Sequence, residues 1–234
     1  MNAAATDVVI LGGGLAGLSL AIQLKQRDPD IAVTVLERRA HPVREAAFKV
    51  GESTVEIGAH YFADVLGFRE HLETEQIRKF GFRFFFSEGQ DDISACTELG
   101  VSQLLPTPSW QLDRGRFENF LAGRARELGV ELLGQAVVRD VDLGRDPAPH
   151  LVHFDHDGQR HQRAARWVVD AAGRAGLIKR KLGLAQANDH DANAVWWRVD
   201  GHVDPNQWGD DPQWLQRCTP PDRWRSTNHM CGPG

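Results

Sequence analysis

The most regular pattern of apolar positions lies in the first forty residues. Residues 8–11 are all aliphatic, which is typical of a short buried strand, and residues 31–36 form a second such run. Between them, apolar side chains recur at helical spacing over residues 18–25. Asp28-Pro29-Asp30 predicts the end of this helix, because proline excludes the residue before it from helical geometry. The pattern therefore predicts a β-α-β unit.

The middle of the chain alternates predicted helices and strands. Ser53 and Glu56 have the spacing of a capping box, which predicts a helix that begins at Ser53 and ends near Gly67. Residues 80–86 are rich in phenylalanine and predict a strand. A second long helix is predicted over residues 116–128. Further strands are predicted at residues 130–133, 137–143, 151–155 and 167–170, with a hairpin turn at Asp157-Gly158.

The last fifty residues show little regular periodicity, and we predict no helix or strand at the end of the chain. Five of the seven tryptophans lie in this segment: Trp196, Trp197, Trp208, Trp214 and Trp224. We expect these rings to pack in a core or between domains, and the alternative is the wall of a pocket for an aromatic substrate. Because so much aromatic surface has no partner nearby in the sequence, we expect a further part of the protein to be missing.

Composition narrows the class of protein. Of the 234 residues, 41% are hydrophobic and 25% are charged, which predicts one folded unit or two small ones. The formal net charge is −5 and the chain has no Lys/Arg-rich run, so we expect no nucleic-acid partner. The apolar run over residues 8–24 begins after Asp7 and contains three consecutive glycines, so we predict neither a signal peptide nor a membrane span.

The cysteines and histidines do not indicate a metal site. The three cysteines are far apart and form no C-x-x-C pair, which argues against a disulfide framework and a zinc site and favours the cytoplasm. His150, His153 and His156 recur every three residues around a predicted strand. Alternation would send His153 and His156 to opposite faces, so we predict a solvated hairpin and no metal.

The predicted turn after the first strand carries the pattern Gly12-x-Gly14-x-x-Gly17, and Glu37 follows the second strand. In such a fingerprint the glycines permit a tight turn, the approach of a pyrophosphate and close packing of the helix. The backbone N–H groups of the helix N-terminus then bind the anion, and Glu37 binds the ribose and disfavours NADP. The predicted cofactor-binding residues of this region are Gly12, Gly14, Leu15, Ala16, Gly17, Glu37 and Arg38. The alternative is a glycine-rich turn without a ligand.

The fingerprint alone does not separate FAD from NAD. A second strand, residues 168–170, ends in Asp170 and leads into Gly173-Arg174. This Asp-x-x-Gly-Arg segment resembles the strand that returns to the dinucleotide site in FAD-dependent monooxygenases. The resemblance implies that Asp170 and Gly173 contact FAD, and the alternative is an ordinary strand and turn.

Two further segments resemble the tryptophan-halogenase-like family of flavin-dependent halogenases. Residues 49–54 (Lys-Val-Gly-Glu-Ser-Thr) are similar to the family's Gly-Glu-Ser/Ala segment, which implies a cofactor role for Glu52 and Ser53. Residues 111–117 resemble the segment that leads into the helix crossing the cofactor, where Arg114 would approach FAD. Val138 occupies the position whose backbone meets adenine in related flavoproteins. The resemblance covers essentially the whole chain.

The same resemblance implies a catalytic role for Lys79. Halogenases of this family use a lysine that holds or covalently carries hypohalous acid, formed when halide attacks a flavin hydroperoxide. Lys79 lies at the start of the Phe-rich strand, in a similar position, and burial would lower the pKa of its amine. The alternative is a solvated lysine at a strand edge.

One hallmark of the family, Trp-x-Trp-x-Ile-Pro, is absent, and residues 196–199 do not match it. Residues 226–234 look like the stretch that precedes this hallmark. We therefore expect the chain to stop before the hallmark, before the segment that closes over the flavin phosphates and before the acidic partner of Lys79. This departure puts catalysis by the chain alone in doubt.

The sequence thus predicts an α/β fold, with a Rossmann-like FAD-binding domain of the monooxygenase type and the start of a β-rich substrate domain. We assign residues 1–185 to the FAD domain, residues 76–105 within them to the substrate side, and residues 186–234 to the substrate domain. The predicted function is halogenation of an aromatic or alkene substrate, with FAD reduced by a separate reductase. The alternatives are a monooxygenase or isoprenoid-type reductase on this fold, and a non-catalytic nucleotide-binding fragment.

Overall fold

The computed structural model describes residues 4–46, 49, 51–189 and 200–231. The strands in these residues are β1 (Ala4–Leu11), β2 (Val33–Leu36), β3 (Ile77–Lys79), β4 (Gly81–Phe86), β5 (Thr97–Gly100), β6 (Ser109–Gln111), β7 (Glu131–Leu133), β8 (Val137–Asp142), β9 (His150–His156), β10 (Gln159–Asp170) and β11 (Ser226–Cys231). The helices are α1 (Leu15–Arg27), α2 (Glu56–His60), α3 (Arg69–Glu75), α4 (Arg114–Glu127), α5 (Leu177–Lys181) and α6 (Pro212–Gln216).

The chain divides into two compact units. The first consists of Met1–Phe48 and Asp113–Asp191, and the second of Lys49–Leu112 and Ala192–Gly234. Residues 76–105 lie in the second unit, and so do residues 49–75, which the sequence analysis assigns to the FAD domain. The assignment of residues 76–105 and 186–234 to the substrate side stays a prediction.

The first unit contains a six-stranded sheet in the order β7-β2-β1-β10-β9-β8. The pairs β7–β2, β2–β1 and β1–β10 are parallel, whereas β10–β9 and β9–β8 are antiparallel. The chain leaves β1 for β2 on one side and returns to β10 on the other side. This arrangement confirms the predicted α/β fold with a Rossmann-like parallel sheet, and it creates a crevice at the carboxyl end of β1.

Both faces of β1 are covered, which explains its unbroken aliphatic run. Val9 and Leu11 are fully buried in a cluster with Val152 and Phe154 of the antiparallel strands. Ile10 faces the opposite side and contacts α1, because a Cβ added to Gly17 of that helix would lie 3.2 Å from its Cγ2. Burial of each such side chain contributes about 1.5–3 kcal/mol. The first helix is therefore fixed closely on the first strand.

The sequence pattern predicted most helices and strands of the first unit, but it underestimated the length of one strand. Helix α1 ends at Arg27, immediately before the predicted break. The hairpin turn is confirmed, since Asp157 and Gly158 both have positive φ (51° and 73°) between the paired strands β9 and β10. Strand β10, however, is twelve residues long and begins at Gln159. Its first half is polar and partly exposed, so it gave no hydrophobic pattern.

The second unit is built around the phenylalanine-rich strand β4. This strand pairs with β5 and β11, and a separate two-stranded sheet joins β3 to β6. Arg83 and Phe85 of β4 are buried, whereas Phe82 on the opposite face is 44% exposed. The predicted strand over residues 80–86 begins one residue later than expected, at Gly81, which has a φ of +127°. Phe85 packs with Ile93 and Trp214.

The expected capping box is wrong. Helix α2 begins at Glu56 with Val55 at its N-cap, and no side chain caps it. The hydroxyl groups of Ser53 and Thr54 instead make tertiary hydrogen bonds, to Lys79 and Trp110 respectively. Because the two hydroxyl oxygens bond residues far away in the sequence, they do not cap the helix. The helix continues as a π-helical turn over Tyr61–Val65, and Gly67 ends it with a φ of +78°.

The expectation that the chain ends without regular structure is also wrong. Residues 226–231 form β11, which pairs in parallel with β4. Trp214 is fully buried, as expected for a core ring, whereas Trp208 is 51% exposed. Trp196 and Trp197 lie outside the described residues. Strand β11 alternates polar and apolar side chains too weakly for a prediction, and its pairing with a distant strand gives it its structure.

None of the described helices is both long enough and apolar enough to cross a membrane.

Candidate functional site

The glycine-rich turn lies between β1 and α1, at the crevice of the first sheet. Gly12 has a φ of +113°, and a Cβ added there would lie 2.5 Å from the carbonyl oxygen of Ala171. A Cβ added to Gly17 would lie 1.9 Å from the carbonyl oxygen of Gly12. Both contacts are impossible for a larger residue. Internal packing of the turn therefore accounts for the glycines at these two positions.

Gly14 differs from the other two glycines. Its φ of −87° is ordinary for any residue, and the nearest heavy atom to an added Cβ is Glu118 Oε1 at 4.0 Å. The protein itself therefore does not require a glycine there. A glycine in open space at the N-terminus of a helix leaves room for a ligand to approach the backbone. The geometry fits a diphosphate.

Helix α1 provides the donors for such an anion. Helical geometry supplies no carbonyl partner for the N–H groups of its first turn, which includes Leu15 and Ala16. Gly14 is the N-cap and has no side chain to cap them, and no acidic residue lies in the first turn. The dipole of this thirteen-residue helix also favours negative charge at its N-terminus. These features agree with the predicted roles of both residues.

Glu37 is held at the turn by two backbone groups. Gly13 N donates to its Oε2 at 2.7 Å, and Arg39 N donates to its Oε1 at 2.8 Å. Each carboxylate oxygen can accept a further hydrogen bond. The side chain is thus fixed beside the turn, where it can accept from ribose hydroxyls. Arg38, the next residue, is exposed.

His41 is a residue of this region that the sequence analysis missed. A Cβ added to Gly13 would lie 3.4 Å from its Nε2, so the imidazole adjoins the turn beside Glu37. Burial lowers the pKa of His41, although the charge of Glu37 opposes this effect. Nothing in the sequence pattern distinguishes this histidine from a loop residue. The structure shows that His41 lies next to the glycine-rich turn.

The start of α4 brings a basic group to the same turn. Asp113 caps the helix, because its Oδ1 accepts from Arg116 N at 3.1 Å. Arg114 is the first helical residue and donates through Nη2 to Glu118 Oε1 at 2.6 Å. This glutamate oxygen is the one that lies 4.0 Å from a Cβ added to Gly14. The ion pair therefore places Arg114 close to the open side of the turn.

Asp170 lies at the carboxyl end of β10, opposite Leu11 of β1. Its carboxylate accepts hydrogen bonds from Ala172 N at 3.1 Å and from Ile178 N at 2.8 Å. Gly173 follows with a φ of +61°. The carboxylate therefore orders the turn after β10. Its contact with a cofactor stays a prediction.

Val138 lies on β8 and packs partly buried against the core cluster of the first unit. Two residues before it, Ala136 N donates to the carbonyl oxygen of Glu37 at 2.9 Å. The strand thus begins beside the predicted ribose site. Its role near adenine stays a prediction.

Lys79 occupies a buried position in the second unit. Its residue is only 5% exposed, and Nζ donates to Ser53 Oγ at 2.5 Å and to the carbonyl oxygen of Thr54 at 2.6 Å. Nζ also lies 4.6 Å from the ring centre of Phe82. The structure therefore excludes the alternative of a solvated lysine at a strand edge.

Burial changes the acidity of this lysine. Desolvation lowers the pKa of Lys79, and the charge of Glu56 opposes the shift. Among the described residues, no carboxylate lies within ion-pair distance of Nζ. An ammonium held by two oxygens without a counter-charge loses its proton more easily than an exposed one. It can then act as a hydrogen-bond donor or as a nucleophilic amine.

Glu52 and Ser53 connect Lys79 to the neighbouring strands. The carbonyl oxygen of Glu52 accepts from Leu112 N at 2.6 Å, and the Glu52 residue is buried. Ser53 Oγ is also 3.2 Å from Thr227 Oγ1 on β11. The Ser53 hydroxyl, which we predicted to bind cofactor, thus contacts Lys79 and β11. The cofactor roles of Glu52 and Ser53 stay predictions.

The predicted site residues fall into two groups. Those in the first unit are Gly12, Gly14, Leu15, Ala16, Gly17, Glu37, Arg38, Arg114, Val138, Asp170 and Gly173, and those in the second unit are Glu52, Ser53 and Lys79. Within the described ranges, no group of acidic, histidine and cysteine side chains has metal-site geometry. His153, for example, pairs through Nε2 with Asp142 at 2.7 Å.

Part of the chain matches a known protein family. Residues 10–74 match the model of a family described as an NAD(P)-binding Rossmann-like domain. The matched segment contains the glycine-rich turn, Glu37 and the Glu52-Ser53 pair. This match agrees with the sheet topology. The sheet order and the matched segment together show a Rossmann-like fold.

The sequence relatives of this chain include flavin-dependent enzymes. Flavin-dependent halogenase armH3 of Armillaria mellea is 25% identical over 94% of this chain and 43% of its own length. Aklavinone 12-hydroxylase DnrF of Streptomyces peucetius is 26% identical over 77% of this chain and 38% of its own length. The flavin-dependent brominase Bmp2 superposes with a TM-score of 0.60 and 26% identity, over 76% of this chain and 40% of the brominase.

These findings confirm the resemblance stated from the sequence. The chain is related in sequence to flavin-dependent halogenases and to aklavinone 12-hydroxylase, and in fold to a flavin-dependent brominase. It spans less than half the length of the relatives that it matches. These relatives are oxidoreductases.

Proposed function

We propose that the chain is the cofactor-binding part of an FAD-dependent oxidoreductase of the flavin-dependent halogenase type. The observation that carries the proposal is the buried Lys79, held by Ser53 and Thr54 without an ion-pair partner in the described residues. A structural lysine is normally exposed or paired with a carboxylate. A buried ammonium of lowered pKa is instead typical of a functional site.

The first unit fits FAD. The N-terminus of α1 would hold the diphosphate, because Gly14 leaves space and Leu15 and Ala16 present backbone donors. Glu37, which is fixed by Gly13 N, would accept hydrogen bonds from the ribose of adenosine. Arg114, which is paired with Glu118, would lie near the diphosphate. When bound, FAD supplies the redox chemistry with oxygen that side chains cannot perform.

Lys79 orients the halogenating agent in this proposal. Its Nζ donates a hydrogen bond to the oxygen of hypohalous acid, in place of one of its present protein acceptors. The halogen then forms a bond to an electron-rich ring carbon, while the ring proton and the hydroxide group leave as water. The burial of Lys79 strengthens this hydrogen bond because little water competes for the donor.

A second candidate function is hydroxylation, because one relative is named aklavinone 12-hydroxylase. The two functions share the dinucleotide site and differ in the need for a halogen-directing amine. Replacement of Lys79 therefore separates them. A hydroxylase would keep its product formation in Lys79→Ala, whereas a halogenase would lose it.

The decisive experiment uses the full-length protein with FAD, halide, oxygen and a flavin reductase. We expect Lys79→Ala to lower halogenated product at least about a hundredfold, as for removal of a single positioned donor elsewhere. Flavin oxidation should continue at the wild-type rate. Lys181→Ala is the control, because that lysine is part of a largely exposed pair with Asp140. Unchanged halogenation in Lys79→Ala would remove Lys79 from the mechanism.

Cofactor choice is tested on the chain itself. We expect FAD, added to the purified protein, to bind with a red-shifted and structured absorption band and quenched fluorescence. NAD and NADP should not displace it. A chain that folds but binds no FAD would contradict the assignment of the first unit.

Two further parts of the proposal concern the setting of the enzyme. FAD is reduced by a separate reductase, and the protein works in the cytoplasm on a small aromatic or alkene substrate. The charge of −5 and the lack of basic runs support a small-molecule substrate over a nucleic acid. Product formation that requires added reductase, and fails with NADH alone, is the expected result.

A further inference from the structure

The open face of the three-stranded sheet in the second unit carries a cluster of aromatic side chains. Phe82, Phe84 and Phe86 alternate along β4, and their rings stack at 6.4 and 6.5 Å between centres. Leu99 of β5 lies opposite Phe84 and is 55% exposed. Thr227 and His229 lie opposite Phe82 and Phe84 on β11. We call these six residues the aromatic face.

Lys79 adjoins this face through two independent routes. Its Nζ lies 4.6 Å from the ring centre of Phe82. Its partner Ser53 contacts Thr227, two residues before His229 on the same strand, with 3.2 Å between the hydroxyl oxygens. Phe82 in turn lies 5.7 Å from the ring of His229. One phenyl ring therefore separates the ammonium of Lys79 from the imidazole of His229.

His229 is the only imidazole of the aromatic face, and it is held in a defined orientation. Its ring stacks on that of Phe84 at 4.5 Å and 18°. Its Nδ1 is buried and has no hydrogen-bond partner among the described residues. A proton on Nδ1 would be a buried donor without an acceptor, which is unfavourable. A proton is therefore favoured on Nε2 over Nδ1.

From this geometry we propose that His229 is a substrate-orienting residue, whose Nε2–H donates a hydrogen bond to an oxygen on an aromatic substrate. The inference rests on the proposed function for the nature of the reaction at Lys79. The substrate class is a planar, electron-rich ring with a hydroxyl or phenolate oxygen. Such a ring lies over Phe82, with its oxygen at His229 and a ring carbon directed towards Lys79.

The chemistry of the face favours this occupant over a segment of protein. The apolar rings offer contact area to another flat ring, while the two polar groups at its ends, Lys79 and His229, are both donors. An acceptor oxygen satisfies His229, and an electron-rich carbon is the partner for an electrophile held at Lys79. An aliphatic strand laid on this face could satisfy the imidazole N–H through a backbone carbonyl, but it would bring no electron-rich ring carbon to Lys79.

The test is saturation-transfer NMR with phenol and toluene as probes, on the full chain without FAD or halide. We expect phenol to bind more tightly than toluene and to compete with it. His229→Phe keeps the stacked ring and removes the donor, so the phenol dissociation constant should rise about five- to tenfold while toluene is unchanged. His161→Phe is the matched control, because His161 stacks on Phe154 in the first unit at 5.5 Å.

A second pair of variants keeps the test independent of folding effects. The side-chain amide of His229→Gln can place a donor near the position of Nε2, whereas that of His229→Asn lies near Nδ1. We expect the Gln variant to retain phenol binding and the Asn variant to lose it. Nitrogen-15 spectra of the wild type should show the proton on Nε2.

Several outcomes would overturn the proposal. The proposal is wrong if His229→Phe and the wild type bind phenol with equal affinity. It is also wrong if the proton lies on Nδ1, or if neither probe binds to a folded chain. The last result would mean that the aromatic face does not bind an aromatic ring. Because the probes bind without FAD and halide, loss of the halogenase proposal would leave this result intact. Halogenation that depends on Lys79 but not on His229 would contradict the role of His229 and leave the proposed halogenase function intact.

Discussion

The backbone N–H of Gly13 donates a 2.7 Å hydrogen bond to the carboxylate of Glu37, twenty-four residues later in the chain. This bond joins the turn after β1 to the end of β2. The two parts of the dinucleotide fingerprint, far apart in sequence, are therefore one rigid structure before any ligand binds. Such pre-ordering lowers the entropic cost of binding.

The glycines of the turn should separate binding from folding. In Gly14→Ala the new methyl group lies in open space, so the melting temperature should change little while FAD affinity falls at least about tenfold. In Gly17→Ala the new methyl group meets the carbonyl oxygen of Gly12, and the free energy of unfolding should fall by about 3 kcal/mol. Thermal unfolding and flavin fluorescence titration measure the two effects. Equal loss of stability in both variants would contradict the reading of Gly14 as a ligand position.

Glu37 should contribute to affinity through its charge. In Glu37→Gln the amide group has to face one of the two backbone donors, Gly13 N or Arg39 N, so the side chain loses its fixed position. We expect FAD affinity to fall about tenfold, since hydrogen bonds to ionised groups are the stronger ones. Glu45→Gln, which alters an exposed pair with Arg116, is the control. Isothermal titration with FAD that shows no difference between the two variants would refute the ribose contact.

The lowered pKa of Lys79 predicts a pH-dependent stability. Desolvation lowers the pKa of the folded state below 10.5, so the unfolded chain binds more protons between the two values. The free energy of unfolding should therefore rise with pH across that window, and this contribution should be absent in Lys79→Met. Urea unfolding of both proteins at several alkaline pH values measures the difference. A wild type that loses stability relative to Lys79→Met as pH rises would show the opposite shift.

Glu98 should hold the second unit together. It accepts hydrogen bonds from two buried guanidinium groups, those of Arg83 and Arg223. Burial alone would raise the pKa of Glu98, but its contacts with Arg223 and Arg83 outweigh this and lower it below 4.5. Glu98→Gln should cost about 3–5 kcal/mol, because it leaves two buried cations without a counter-charge. Asp64→Asn, in an exposed pair with Arg69, should leave the melting temperature unchanged.

The same carboxylate predicts acid sensitivity. A depressed pKa gives stability that is present above the unfolded-state value of 4.5 and is lost as pH falls through the folded-state value. The stability difference between wild type and Glu98→Gln should therefore shrink in acid. Denaturant unfolding at neutral and acidic pH measures it, and a constant difference would contradict the assigned ionisation.

The sequence predicted the dinucleotide unit well because each of its signals is local. The aliphatic run of β1, the three glycines and Glu37 lie within thirty residues, and each position is fixed by backbone geometry that a pattern reveals. The long strand β10 was found only at its apolar end. Its partly exposed first half pairs with β9 through backbone hydrogen bonds, which leave no trace in side-chain periodicity.

The second unit was harder to predict because its contacts connect distant residues. Ser53 was interpreted as a helix cap, yet its hydroxyl contacts Lys79 and Thr227, and the second of these lies 174 residues away. His229 and β11 gave no signal, since their structure comes from pairing with β4. Lys79 was identified only through a resemblance, and its burial could not be read from neighbours such as Arg78, which is exposed.

The parallel pairing of β11 with β4 has a consequence for synthesis on the ribosome. Strand β4 leaves the exit tunnel long before residues 226–231 are made, and at ordinary elongation rates the delay is on the order of 10 s. During that interval a phenylalanine-rich strand lacks one of its two neighbours. We therefore expect nascent chains that end between the two strands to bind chaperones, and to release them once the late strand emerges.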